Sequence, residues 1–481
     1  MKEKGEKKLT KTQKILKHPA TTKTDSPKIR ELKHHSRRLS IKEGLFTSVK
    51  NAFGDHYISP FAIAINASNS IIALFSSITG ILGPLSQILG SRLIEKYPRK
   101  KIVSKFIFFE ALIWIPLIII SLLFYKGLIT NILPLAVLLI FSFYVILSNI
   151  KHPAWFSWVG DIVDEKYRGR WFSKRNLLNG FILVILAISA SFFLDYTKKL
   201  EIQLIGFTIL FLIAFSARLA SWKILKKQYE PEIKLEKGYY FSFWNYLLDK
   251  NKKNNVRKFS IYRFFLNLSC SISSPLLVVY LLRFLEFKYS TYMVVIFAGT
   301  IFSLIVLELW GKIADEYGNY KVLAISSILI PTIPFLWILS PSPIYLILVP
   351  SFIQGISWAG FNLAAGNFIY DNVSQQKRSL VVSYHNMFGG LGTFIGAGIG
   401  AILIKFLTIQ TIQPIILIFI IGSIARMIVV FYGIPQINEV RKTEKFNGTK
   451  SLKNLILTET KPTIIEEAHQ IMEIKKYLHE K

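Results

Sequence analysis

Residues 161–180 read DIVDEKYRGRWFSKRNLLNG, and residues 371–390 read DNVSQQKRSLVVSYHNMFGG. Aligned without gaps, they share Asp161/Asp371, Val163/Val373, Arg168/Arg378, Ser173/Ser383, Asn176/Asn386 and Gly180/Gly390, every pair 210 residues apart. Both stretches are polar, and both interrupt long apolar runs. The same connection at the same point of two halves is the internal-repeat signature of a membrane transporter. Asp161, Arg168, Asp371 and Arg378 are therefore candidate gating residues.

The flanking sequence agrees. The chain is 52% hydrophobic and 18% charged over 481 residues, against about 25% charged for an ordinary soluble protein, and its charges are concentrated in a few segments. Apolar segments of the length a membrane-spanning helix needs, about 20 residues, fall at 46–68, 70–90, 102–125, 131–160, 177–195 and 202–221. Six more fall at 259–282, 290–310, 322–340, 343–370, 379–404 and 412–434. The pattern predicts an all-α polytopic membrane protein of twelve transmembrane helices in two pseudo-symmetric six-helix halves. Residues 1–45 form a basic tail, 46–221 the first bundle, 222–258 a linker, 259–435 the second bundle and 436–481 a second tail. Cys270 is the one cysteine, which excludes an internal disulfide and a Cys-based zinc site.

A net charge of +30 would suggest nucleic acid in a soluble protein. Here the Lys and Arg residues crowd the tails and alternate loops, while the opposite loops hold only Lys126, Lys198, Lys199, Arg283, Lys288 and Lys405. The positive-inside preference places both termini in the cytoplasm, and the Lys-rich tails point to a cytoplasmic (inner) membrane. The expected partners are the bilayer, a small-molecule substrate and protons. Nucleic acid is not expected, and the chain is expected to act as a monomer.

Twelve spans, a basic linker and two similar halves resemble the major facilitator superfamily of secondary transporters. That family carries a loop motif of the form G-x-x-x-D-x-x-G-x-x-[KR] after its second helix. In the second half GKIADEYGNYKV supplies Gly311, Asp315, Gly318 and Lys321. In the first half GSRLIEKYPRKKI supplies Gly90 and the basic run Arg99, Lys100 and Lys101. There Ile94 stands where the acid belongs, with Glu95 beside it, and Pro98 replaces the second glycine. The resemblance implies the major facilitator fold, a gating role for these loop residues, and a central cavity lined by spans one, four, seven and ten. An acid at a helix N-terminus gains about 0.3–1 kcal/mol, enough to bias a two-state equilibrium without locking it. The glycine-proline motif of the family's antiporters is missing from span five.

Those four spans also carry polar stripes, with Asp55 and His56 in span one, Lys151, His152 and Trp155 in span four, Arg263 and Asn267 in span seven, and Gln354, Trp358 and Asn362 in span ten. Asp55 and Lys151 each lie about 15 Å from the inner surface at 1.5 Å per residue. Ionisable groups at that depth must pair, meet water or change protonation state. Two readings follow. Asp55 and Lys151 form a fixed ion pair, or this set is a substrate and proton site in which Asp55 or a histidine exchanges a proton and Lys151 and Arg263 attract an anion. Glu110 and Glu308 are expected to find interhelical or near-interface partners.

No phosphate loop, zinc-binding H-E-x-x-H or G-x-S-x-G elbow is present in the sequence, so neither an enzyme activity nor a cofactor or metal is expected. A transporter-like receptor or scaffold acting through its tails is the alternative to a secondary transporter working by alternating access.

Overall fold

The computed structural model describes residues 26–163, 168–231, 255–372, 375–407 and 413–439. All regular structure among them is helical. Eleven helical stretches are long and apolar enough to cross a membrane, and a twelfth, more polar one precedes them.

Numbered as spans, α1 runs Pro27–Phe53 and continues through a tight turn at Asp55–Tyr57 into Ile58–Ala64. α2 is Asn69–Leu93, α3 is Arg99–Leu112 with Trp114–Tyr125, α4 is Leu133–Ile150 with His152–Ile162, α5 is Arg168–Lys199 and α6 is Gln203–Leu225. In the second half α7 is Asn255–Ser273 followed by short turns to Phe284, α8 is Tyr289–Tyr317 and α9 is Asn319–Leu329 with Thr332–Ile338. α10 is Pro343–Leu348 with Pro350–Asn372, α11 is Gln375–Phe406 and α12 is Pro414–Gly433.

The first helix begins much earlier than residue 46, the expected edge of the first bundle. The Ser26 hydroxyl accepts the Ile29 amide, and Pro27 fills the first helical turn, where a missing N–H costs nothing. Ser36, Ser40 and Glu43 are buried, so the second half of the expected tail is packed structure. The C-terminal tail from 440, the remainder of the linker and the first 25 residues lie outside the described residues.

The four spans expected to line the cavity are all broken, as are α3 at Ile113 and α9 at Ile330 and Pro331. α4 breaks at Lys151 with Pro153 next to it, α7 at Ser274–Leu276 around Pro275, α10 at Val349 ahead of Pro350, and α1 at Gly54. Proline removes one ladder hydrogen bond and clashes with the preceding turn. Gly54 is required by space, because a Cβ there would lie 2.3 Å from the Trp114 ring. Broken helices free backbone polar groups at membrane depth, which is tolerated where they line a cavity or are buried in protein.

The halves are joined towards the end that is poor in Lys and Arg. Asp195 of α5 accepts the amides of Tyr289 and Ser290 at 2.7 and 3.0 Å. Arg283 of α7 donates to the Asn69 side chain and to Ala67 O. Ser70 and Ser77 of α2 donate to Ala401 O and Phe394 O of α11. At mid-depth the backbones of α2 and α11 touch: a Cβ on Gly390 would lie 2.4 Å from Gly80 O and 2.5 Å from Pro84 Cγ. Towards the basic end the α5/α8 seam parts. Leu177 and Phe181 continue the α5 face that carries Asp195, and Ile301, Leu304 and Ile305 continue the α8 face that carries Ser290, yet all five are exposed.

Gly180, the repeat partner of Gly390, has nothing within 4 Å of the place a Cβ would take. Thermal unfolding in detergent therefore separates the two glycines. Gly390→Ala should destabilise by about 1–3 kcal/mol, the usual cost of overpacking, while Gly180→Ala should be neutral or stabilise by up to about 1 kcal/mol. Equal effects at both positions would show that the α2/α11 contact is not tight.

Candidate functional site

A chain of charged groups fills the core of the first half. Glu110 of α3, fully buried, sits at its centre: its Oε2 lies 2.5 Å from Lys151 Nζ and 2.6 Å from Arg218 Nη2, and its Oε1 lies 3.4 Å from Lys50 Nζ. Lys50 also meets Asp55 Oδ2 at 2.9 Å and donates to the Tyr144 hydroxyl at 2.9 Å. Tyr144 in turn donates to Asp55 Oδ1 at 2.6 Å. Earlier on α1, Glu43 pairs with Arg175 at 3.1 Å and lies 3.9 Å from Arg218, and it accepts from Thr47 and Ser221.

Asp55 and Lys151 are thus neighbours in one network without being partners, which corrects the simple ion pair. Lys50 and Glu110 stand between them. The reason is geometric. The break at Gly54 turns Asp55 back towards Lys50 on its own span, and Lys151 meets Glu110 across the α3/α4 contact. The network holds three acids (Glu43, Asp55, Glu110) and four bases (Lys50, Lys151, Arg175, Arg218). Asp55 is the accessible acid of the three, with its side chain 31% exposed against 4% and 0% for the others.

The remaining expected residues are scattered around this core. His56 is half-buried and meets Phe297 of the second half edge-on at 5.0 Å. His152 is exposed and stacks on Phe156 and Trp155, away from the acids. Trp155 lies under the Arg175 guanidinium, 4.9 Å from its ring centre, so it braces the network. In the second half Asn267 donates to Gly389 O at 3.1 Å. Gln354 lies beside Gly299, Trp358 packs edge-on against Phe361 at 5.5 Å, and Asn362 is exposed. Glu308 pairs with Lys312 on its own helix at 3.1 Å.

The loop residues form one contact twice. Arg99, at the start of α3, lies 2.5 Å from Asp161 at the end of α4 and also donates to Ser157 and Pro231 O. Asn319, at the start of α9, donates to Asp371 at the end of α10 at 2.6 Å. An acid following the sixth span of each half closes both sites. Glu230 lies 3.8 Å from Arg99 Nε, and Glu439 accepts the Tyr320 amide at 2.8 Å. Gly90 lets α2 press on α4, since a Cβ there would lie 1.9 Å from Ile150 O. Gly318 adopts φ +94°, which only glycine takes without strain. Glu95 and Asp315 are exposed, Gly311 has open space above it, and Lys321 lies over the Tyr317 ring. The side chains of Arg168 and Arg378 lie outside the described residues.

Sequence reasoning alone misses Glu43, Lys50, Arg175 and Arg218. The signal is present in the helical spacing of Glu43, Thr47 and Lys50 on one face, but residues before 46 read as a solvated tail. Glu110 meets three cations, so Glu110→Gln leaves Lys151 with no acidic partner and strips Lys50 and Arg218 of one of their two. The expected loss is about 3–5 kcal/mol, read as failure to express or a strongly lowered unfolding temperature. Asp55→Asn, on the accessible edge, should fold with nearly unchanged stability. A stable Glu110→Gln protein would show that water or rearrangement compensates the cluster.

A family model described as Major Facilitator Superfamily matches residues 259–469. Solved structures align over most of the chain at low identity. A mutant of the nucleoside transporter NupG aligns with a TM-score of 0.61 at 16% identity, covering 85% of this chain and 100% of the other. A bacterial homologue of the iron transporter ferroportin, in an inward-facing state, gives 0.62 at 14%, covering 83% and 98%. A bacterial homologue of the human lysosomal transporter Spinster gives 0.56 at 13%, covering 86% and 96%. No curated protein matches the chain. At these identities the structural likeness establishes the fold.

Proposed function

We propose, from the premise that this chain matches the major facilitator superfamily through its second half and shares that fold through both, that it is a secondary active transporter. It moves a small solute across a cytoplasmic membrane by alternating access, with both termini on the cytoplasmic side. The observation that carries this reading is the pairing of a seal at one end with a charged, partly accessible cluster at mid-depth. The joined end faces outwards and the parted end faces the cytoplasm, so the molecule is inward-open.

In this reading Asp55 is the proton-exchanging group. Protonating it would release Lys50 and Tyr144, which now hold its carboxylate, and Lys50 would fall back on Glu110. A proton arriving at Asp55 therefore redistributes charge across α1, α3 and α4. Lys151, His56, His152, Trp155, Arg263, Asn267, Gln354, Trp358 and Asn362 surround the solute path from four broken spans. The Arg99–Asp161 and Asn319–Asp371 contacts, with Gly90, Glu95, Arg168, Gly311, Asp315, Gly318, Lys321 and Arg378, hold or release the cytoplasmic ends of the two halves.

Flux in proteoliposomes tests this directly. Uptake or efflux driven by an imposed pH gradient should fall to background in Asp55→Asn, while solute exchange without net proton movement persists. Lys151→Ala should lose both. Proton-driven flux that survives in Asp55→Asn would remove it from the coupling site. Tail truncation at residue 440 should leave flux intact, whereas loss of function on truncation would favour a receptor or scaffold.

A further inference from the structure

Among the described residues, the first half compensates its buried charges internally and the second half does not. Two arginines, Arg263 and Arg426, lie deep within the spans of the second half, and neither has an ion pair among the described residues. Arg426 of α12 is buried and engaged: it donates to Cys270 O at 2.9 Å and to the Ser273 hydroxyl at 3.0 Å. It braces the break in α7, where the ladder fails around Pro275. Arg263 is different. It sits eight residues into α7, about 12 Å along the helix, is half-buried, and makes no hydrogen bond or ion pair among the described residues. Its Nε is shut away from water with no acceptor.

A lone guanidinium at such depth costs a few kcal/mol or more unless something meets it. The surroundings are built for a ligand rather than for a protein carboxylate. Gly389 of α11 faces Arg263, and a Cβ there would lie 3.0 Å from Arg263 Nε and from Asn267 Nδ2, so the absence of a side chain leaves room beside the guanidinium, while one N–H of the Asn267 amide is held by Gly389 O and the other remains to donate. Asn267 lies one turn beyond Arg263 on the same face of α7. His385 lies within electrostatic reach of Arg263, with Nδ1 3.0 Å from the Ser260 hydroxyl and its ring stacked on Phe259 at 4.7 Å. His385 Nε2 is buried and has no hydrogen-bond partner. Beside them Ser383 and Asn386 of α11 are exposed at the end where the halves part.

We propose that Arg263, with Asn267 and His385, is the oxyanion-recognising subsite of the solute path, and that the transported solute carries a carboxylate or phosphate group. This rests on the transport reading. Arg263 supplies a planar fork suited to a two-oxygen contact. Asn267 supplies an amide donor, and His385 supplies a neutral ring N–H. The division of labour is then clear. The first half handles the proton at Asp55, and the second half grips the anion at Arg263.

The test uses the full-length protein in detergent, with inorganic phosphate, lactate and choline as probes at constant ionic strength and thermal unfolding as readout. Phosphate or lactate should raise the unfolding temperature saturably, and choline should not. Which of the two binds distinguishes a phosphate from a carboxylate. Arg263→Gln should weaken the apparent affinity by about tenfold or more, the loss of a charge-assisted two-point contact. Arg263→Lys should retain part of it, and Asn267→Ala should fall between, which covers a Gln variant that fails to fold. Saturable binding that is unchanged in all three variants overturns the proposal, as does the absence of any shift with either anion at millimolar concentration. Solute counterflow in proteoliposomes separates the two readings. Anion binding lost in Arg263→Gln with no flux in the wild type would sink transport and leave the subsite, while flux of choline alone would sink the subsite and leave transport.

Discussion

The interaction on which the first half depends is the grip of one carboxylate on three cations. Glu110 is sealed from water and meets Lys50, Lys151 and Arg218 from three different helices. In hydrocarbon there is no solvent to share that burden, so each of these spans is tied to the others by the cost of leaving any one charge alone. The apolar packing around it, including Trp114, Tyr144 and Phe211, could be satisfied by several arrangements. The charge cluster selects one. This is the specificity role that buried polar groups serve where apolar surface alone does not discriminate.

The two halves share a skeleton and diverge in chemistry. Arg99–Asp161 in the first half becomes Asn319–Asp371 in the second, so an ion pair is replaced by a neutral donor on the same acid. Among the described residues, the mid-membrane network of the first half has no counterpart in the second, where buried polar groups are single arginines, serines and a histidine.

Much of the frame is legible in the sequence because its signals are local. Apolar runs of the right length, the 210-residue repeat and the loop glycines locate the spans to within a few residues at most of their ends. Two kinds of feature are not legible. The beginning of α1 at Pro27 is hidden because its charged face looks like a solvated tail until Arg175 and Arg218 are seen to meet Glu43. The pairing inside the cluster is hidden because partners are chosen by helix rotation. Asp55 and Lys151 sit at matching depths, yet depth alone does not tell that Lys50 and Glu110 lie between them. The sequence places Glu110 inside an apolar run, but only the fold makes it a hub.

The first helix is also a rod. From Pro27 to Phe53 it runs without a break for 27 residues, about 40 Å, with Asp55 just beyond one end. It is pinned along its length to the half it belongs to: Ser36 accepts the Tyr229 amide, Arg37 donates to Ile162 O, and Ser48 donates to Asn179 O. A tilt of the first half by about ten degrees about Gly54 would carry the far tip of this rod through roughly 7 Å. Under such a tilt the helix would act as a pointer, turning a small rotation at Gly54 into a large displacement at Pro27. A probe attached near Pro27 would read the posture of a half whose own interior scarcely changes.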